Sequence, residues 1–364
     1  MQRRTVLAGA ITSGLLLAVA PAFGSVRSRQ PVVIAHRGAS GYRPEHSEAA
    51  YRLAVRMGAD YVEPDLVMTK DGVLVARHEN ELGLTTDVAD RPEFADRMTT
   101  KTISSFDFLG WFTEDFTLAE LKTLRTRERN PELRQGSAQY DGQQPILTLQ
   151  EIIDIVRMEG QGRATPVGLY IELKDPDYHR QIGLPIEDTL LAVLQANGLA
   201  GADAPVIVQS FWPSALATLR ATTSIKLCFL LNSVAPPEEI LRANGITRYE
   251  DVYSPEGLRR IAGFADILGP ETGLILPRDG DDRTGAPTSL VADAHQAGLG
   301  VHVWSVNAEN AHLPSDYRLG DPSREGFLQE LGDATRLAKR LFDLGVDGIF
   351  TDHPDLVAAA KPAK

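Results

Sequence analysis

Short runs rich in β-branched and aromatic residues alternate with helix-length amphipathic stretches along most of the chain, and this alternation restricts the fold more than any other feature. The strand-like runs are PVVIAH (31–36), YVEPDL (61–66), VGLYIEL (167–173), PVIVQS (205–210), IKLCFLL (225–231), ADILGP (265–270), GVHVWSV (300–306) and GIFTD (348–352). Between them lie HSEAAYRLAVRMG, LTLQEIIDIVRMEG, IEDTLLAVLQANG, SPEGLRRIAGF, TSLVADAHQAG and ATRLAKRLFDLG. Most of these space apolar residues three and four apart, and Gly58, Gly198 and Gly345 stand where glycine most easily ends a helix. Eight parallel strands joined by crossover helices predict an α/β protein built as a closed (β/α)8 TIM barrel rather than an open sheet.

A barrel of this type needs roughly 250 residues, whereas the chain has 364, with an ordinary globular composition of 43% hydrophobic and 24% charged residues. The surplus is concentrated between about Glu79 and Pro145, too long for a barrel loop, which predicts an insertion over about 80–145 after the second strand. It would emerge on the catalytic face, either as a lid or substrate wall or as a decoration of the surface. A second irregular stretch, ENAHLPSDYRLGDPSREG, follows the seventh strand.

The first 24 residues read as a signal peptide: Arg3 and Arg4, an apolar stretch from Val6 to Ala20, then small residues at Ala22 and Gly24. The basic pair fits a twin-arginine leader and also an ordinary Sec leader. The apolar run is short for a spanning helix, so no stable membrane anchor is expected and residues 25–364 form the mature barrel domain. Cleavage would remove two arginines and no acid, moving the formal charge from -12 to -14. An acidic body repels polyanions, which argues against nucleic acid as a partner and requires a local cationic or metal site for any phosphate. Cys228 is the only cysteine, so no intrachain disulfide forms and a cysteine-based zinc site is excluded.

Functional side chains of such barrels gather at the C-terminal ends of the strands. There the first strand offers His36 and Arg37, the second Glu63 and Asp65, the third Glu172 and Lys174, and the piece GVLVARHEN delivers His78. Glu63 and Asp65, two apart in a strand, leave the same face. Two inward carboxylates repel, and a cation or a shared proton resolves the conflict. With Glu172 they form a hard oxygen site suited to Ca2+ or Mg2+; pairing of each acid with a nearby Lys or Arg is the alternative. His36 and His78 suit proton transfer. His46, His179, His295, His302, His312 and His353 are read as packed or surface residues, His302 least securely. Arg37 carries a planar fork that matches phosphate oxygens, and Lys174 adds a second local cation. Gly38 and Gly41, before a helix expected near Pro44, could aim backbone N–H groups at an anion.

The segments VIAHRGASGYRPEHSEAAY, GADYVEPDLVMTKDGVLVARHENEL, TTDVADR, YIELK, VIVQSF, VHVWSVN and GVDGIFTDHPD together resemble the glycerophosphodiester phosphodiesterases, and more closely their exported bacterial type. The resemblance runs through nearly the whole mature chain in order. It implies a metal-dependent enzyme that hydrolyses small glycerophosphodiesters to sn-glycerol 3-phosphate and an alcohol. It further implies that His36 and His78 are the acid–base pair, that Glu63, Asp65 and Glu172 hold the divalent metal, and that Arg37 and Lys174 meet the phosphate. Glu45 is implied as a supporting residue, and Phe211 and Trp304 as aromatic walls near the alcohol. The chain departs from the family at Glu79, where an aspartate often follows the second histidine. Two rival readings are a related barrel phospholipase acting on intact lipids, favoured by apolar loops beside the mouth, and a non-catalytic binder of glycerol phosphates, disfavoured by the presence of both histidines and all three acids.

Overall fold

In the computed structural model, which describes residues 30–236 and 246–363, the strand-like runs become parallel strands that close on themselves. The barrel strands are β1 (Val32–His36), β2 (Tyr61–Glu63), β7 (Gly168–Leu173), β8 (Val206–Ser210), β9 (Lys226–Leu231), β10 (Ile267–Pro270), β11 (Gly300–Val303) and β12 (Gly348–Thr351). Each pairs with the next, β12 pairs with β1, and β2 pairs with β7, which completes the ring. All six helical stretches read from the sequence are helical over much of their length, joined by Pro213–Thr222 and Pro354–Ala359, which the sequence reading did not single out. The leader over 1–24 lies outside the described residues. Among the described residues no helix is long and apolar enough to cross a membrane.

Period-two alternation divides the strand side chains into two populations. Ile34, Tyr170, Ile207, Cys228, Leu230, Ile267 and Phe350 form one apolar cluster, the filling of the barrel. Their neighbours in sequence, among them Val33, Ala35, Leu169, Ile171, Val206, Val208 and Ile349, belong to a larger cluster shared with the helices. Cys228 is thus a buried core residue. His302 sits in the filling too, its Nδ1 3.0 Å from the Tyr170 hydroxyl.

The second predicted strand does not run unbroken through 61–66. Proline lacks an N–H, and at Pro64 the chain divides into β2 and a second piece, β3 (Asp65–Met68). Strand β3 continues along β7 and turns back as the antiparallel β4 (Leu74–Ala76). From there the chain makes a long excursion and returns beside its point of departure, where Ala76 N–H donates to Leu147 O at 2.9 Å. The excursion has its own small core of Leu82, Val88, Phe94, Phe116, Leu121 and Leu124 against Val67, Val75 and Ile146. It also carries a two-stranded hairpin of β5 (Thr99–Ile103) and β6 (Phe106–Gly110), turned by left-handed Ser104 and Ser105.

Burial lowers the pKa of His302 to about 4, so the folded state resists a proton that the unfolded chain takes up near pH 6.5. The unfolded state then binds more protons between those values, and stability is lost as pH falls from about 6.5 to 4. Urea unfolding across this window should show His302→Gln losing less stability on acidification than the parent, by up to ~3 kcal/mol.

Candidate active site at the barrel mouth

The alternation that fills the barrel also builds the site. Two residues beyond the inward Ile34, Tyr61, Tyr170, Ile207 and Phe350 come His36, Glu63, Glu172, Gln209 and Asp352, all on the same inward phase. Register aligns them: His36 lies opposite Glu63, Asp65 opposite Glu172, and Glu172 opposite Gln209.

Glu63, Asp65 and Glu172 are buried, and each offers an oxygen within 4.8 Å of the other two. Glu63 accepts from the backbone N–H of Arg37 at 2.8 Å and from Gln209 Nε2 at 3.2 Å. Glu172 accepts from Lys174 Nζ at 2.7 Å, and Lys174 lies 4.0 Å from Asp65 Oδ1. Burial, then the charges of Asp65 and Glu172, hold the Glu63 carboxyl well above the usual carboxylate range. Burial, partly offset by Lys174, pushes Glu172 up to about 8. Burial works against ionisation of Asp65 as well, but Lys174, His46 and Arg37 outweigh it and keep that carboxyl well below its usual range. Burial and mutual repulsion thus oppose full ionisation of the trio on its own. Asp65 Oδ1 is buried without a hydrogen-bond donor. An orphaned oxygen among three carboxylates, with no thiolate near, fits a hard divalent cation.

The loop after β1 serves this cluster through strained backbone. Arg37 and His46 both adopt left-handed φ, 57° and 58°, and His46 N–H donates to Arg37 O at 3.0 Å. Such conformations cost about 1–3 kcal/mol each. They bring two side chains onto one oxygen: Arg37 Nε lies 3.2 Å and His46 Nε2 3.0 Å from Asp65 Oδ2. Gly38 is required here, with φ of 87° and space that would put a Cβ 2.7 Å from the Ala50 backbone. The helix expected near Pro44 starts at Glu48, capped by Ser47, because Pro44–His46 are spent on this turn. Burial alone would lower the Arg37 pKa, but Glu45 and Asp65 raise it, so the guanidinium stays charged.

Both candidate acid–base histidines are at the mouth, each held at Nδ1. His36 Nδ1 lies 2.7 Å from Asp352 Oδ1, and Arg134 Nη2 reaches Asp352 Oδ2 at 2.5 Å. His78 Nδ1 lies 2.5 Å from Glu79 Oε1, and Arg129 forks onto both oxygens of Glu79 at 2.9 and 2.7 Å. Glu79, with its longer reach, thus still meets the imidazole. Burial of the ring, then the charges of Arg37 and Lys174, lower His78 to about 4. Phe211 and Trp304 stand edge to face at the rim with centroids 5.7 Å apart, and Trp304 Nε1 donates to Gly269 O.

Several side chains that support the nine expected at the mouth carry little signal in the sequence. His46, read as a packing residue, is fully buried against Asp65 and the Tyr51 hydroxyl. Asp352 ends the run GIFTD on the same phase as Phe350, so strand parity could have found it. Arg129, Arg134 and Glu309 lie on irregular segments where periodicity carries no signal.

Oxygen-donor acids beside two carboxylate-held imidazoles, at the C-terminal face of a (β/α)8 barrel, suit an enzyme that works on phosphate esters. The family model described as the glycerophosphoryl diester phosphodiesterase family matches residues 36–356, and the chain belongs to that family. Its activity is that of a glycerophosphodiester phosphodiesterase. A relative, glycerophosphodiester phosphodiesterase GDPD6 of Arabidopsis thaliana, is 34% identical over 90% of this chain and 85% of its own. The glycerophosphodiester phosphodiesterase of Haemophilus influenzae is 26% identical over 98% of this chain and 97% of its own. Among solved structures, a putative glycerophosphoryl diester phosphodiesterase from Silicibacter pomeroyi shares the fold with a TM-score of 0.61 at 22% identity, covering 90% of this chain and 92% of its own. A phosphodiesterase of Oleispira antarctica, solved with the product sn-glycerol-3-phosphate, has a TM-score of 0.57 at 23% identity and covers 91% and 96%.

If His46 orients Asp65, His46→Ala should weaken binding of a divalent cation by about 10- to 100-fold, the usual cost of removing a residue behind a ligand. Calorimetric titration of chelator-treated protein with Ca2+ and with Mg2+ measures it.

Proposed function

We propose that this chain is an exported, divalent-cation-dependent phosphodiesterase that releases sn-glycerol 3-phosphate and an alcohol by acid–base catalysis at His36 and His78. One observation carries the reading: the three acids, Arg37 and both imidazoles converge on one mouth. The product named for the Oleispira structure supports the choice of glycerol phosphate. The leader-like pattern of residues 1–24 supports export, to the periplasm or beyond the cell.

Glu63, Asp65 and Glu172 hold the cation, Ca2+ or Mg2+, which when bound supplies Lewis-acid polarisation of a phosphoryl oxygen. Arg37, fixed beside Asp65, presents its guanidinium to the phosphate and stabilises the charge that builds up as phosphorus becomes five-coordinate. Lys174, held by Glu172, adds a second positive charge. His78, neutral at pH 7, accepts a proton from the nucleophile, while His36, backed by Asp352, delivers one to the departing alkoxide. A glycerol hydroxyl of the substrate serves as nucleophile and water opens the resulting cyclic phosphate. Phe211 and Trp304 form an apolar wall beside the alcohol.

A second reading, action on a lipid that keeps an aliphatic chain, draws on one feature. A cavity of about 510 Å3 adjoins the mouth, lined by Phe106 and Phe108 of β6 and by Phe211, Trp212, Leu231 and Tyr249. Comparing kcat/KM for glycerophosphocholine and lysophosphatidylcholine separates the two: preference for the acylated substrate, lost in Phe108→Asp, selects the second.

His36→Ala and His78→Ala should each lower kcat on glycerophosphocholine by about 10²- to 10⁴-fold with the thermal midpoint little changed. Chelation should abolish turnover in the parent, and added Ca2+ or Mg2+ should restore it. Full activity in either alanine variant, or in chelator, refutes the assigned roles.

A further inference from the structure

Arg129 and Arg134 lie in one short stretch of the excursion, and each ends on the carboxylate behind a different imidazole. Arg129 grips Glu79 with two nitrogens and Glu45 with Nε and Nη2, both at 2.7 Å. Arg134 grips Asp352 with Nη2, Glu309 through Nε at 2.6 Å and the Ser40 carbonyl through Nη1 at 3.1 Å. The Arg134 side chain is only 9% exposed and that of Arg129 18%, unlike the freely solvated arginines of a decorative loop. The stretch is braced internally: Arg134 N–H donates to Asn130 O, Asn130 N–H to Glu128 Oε1, and Ser137 Oγ to Glu128 Oε2.

We propose that this stretch is a positioning element for both imidazoles: Arg129 and Arg134 lock the Glu79 and Asp352 carboxylates against Nδ1 of His78 and His36, fixing both rings as Nδ1–H tautomers with Nε2 left to exchange protons. A carboxylate beside Nδ1 selects that tautomer only while it is held in the ring plane, and a guanidinium fork holds it there. The guanidinium also offsets the carboxylate's charge, which on its own would make the imidazole more basic. His36 faces Asp352, with Arg134 behind it. His78 faces Glu79, backed by Arg129, while Arg37, Lys174 and Asp65 act on it from the barrel side. Loss of either arginine therefore raises the basicity of one ring. Because the rings take opposite roles, each loss displaces a different limb of the bell-shaped pH profile.

The inference rests on the acid–base roles of His36 and His78, and two measurements separate its failure from theirs. In the first, kcat on glycerophosphocholine is followed from pH 3 to 10 in saturating divalent cation for the parent and for R129Q, R134Q, R129K and R134K. Loss of kcat by about 10- to 100-fold is expected in both glutamine variants with KM nearly constant. R129Q should carry its acidic limb to higher pH and R134Q its alkaline limb, with the lysine variants recovering the limb positions. In the second, nitrogen-15 NMR of the histidine rings in the substrate-free protein, at a pH above the alkaline limb where both rings are neutral, should show Nδ1–H tautomers for His36 and His78, mixed in the matching glutamine variant only. Unshifted limbs, the same limb shifted in both variants, or an Nε2–H tautomer in the parent overturns the positioning role. Absence of turnover in the parent overturns the function reading, while the tautomers still test the contacts.

Discussion

Crowding Glu63, Asp65 and Glu172 into one buried corner creates a charge problem around which the rest of the mouth is arranged. Two cations, Arg37 and Lys174, approach the cluster but do not balance it, and Asp65 keeps one oxygen without a donor. Buried charge left uncompensated costs several kcal/mol per ion, so the corner is sound only with a shared proton or a bound cation. The left-handed backbone at Arg37 and His46 has the same origin, since it brings a guanidinium and an imidazole onto a single carboxylate oxygen.

The barrel beneath is organised to keep that corner separate from the structural core. Tyr170, Phe350, Ile34 and Ile207 fill the interior, and the ionisable residues begin one inward position higher on the same strands. The break at Pro64 lets the second strand serve twice. Strand β2 closes the ring, and β3 carries Asp65 along β7 and starts the hairpin that delivers His78.

Much of this was legible in the residues because it depends on periodicity. The eight strands, their inward phase and the meeting of His36, Glu63 and Glu172 follow from alternation and strand ends. His46 was not legible, because its position depends on a left-handed turn that places the following helix four residues later than Pro44 suggested. Asp352 was within reach of the same parity argument, two residues beyond Phe350. Arg129 and Arg134 were out of reach, since nothing local says which carboxylate a loop arginine will find; their partners lie 50 and 218 residues away.

The excursion between β4 and Leu147 leaves and rejoins the barrel at neighbouring points. A loop with adjacent ends can be shortened, lengthened or exchanged over evolutionary time without disturbing the hydrogen-bonded ring below it. Here the same loop touches both imidazoles of the mouth through their carboxylates, so remodelling it would alter the setting of those rings while sparing the scaffold. Descendants of this barrel can thus diverge in the surroundings of their mouth through a part of the chain that contributes nothing to the wall of the barrel.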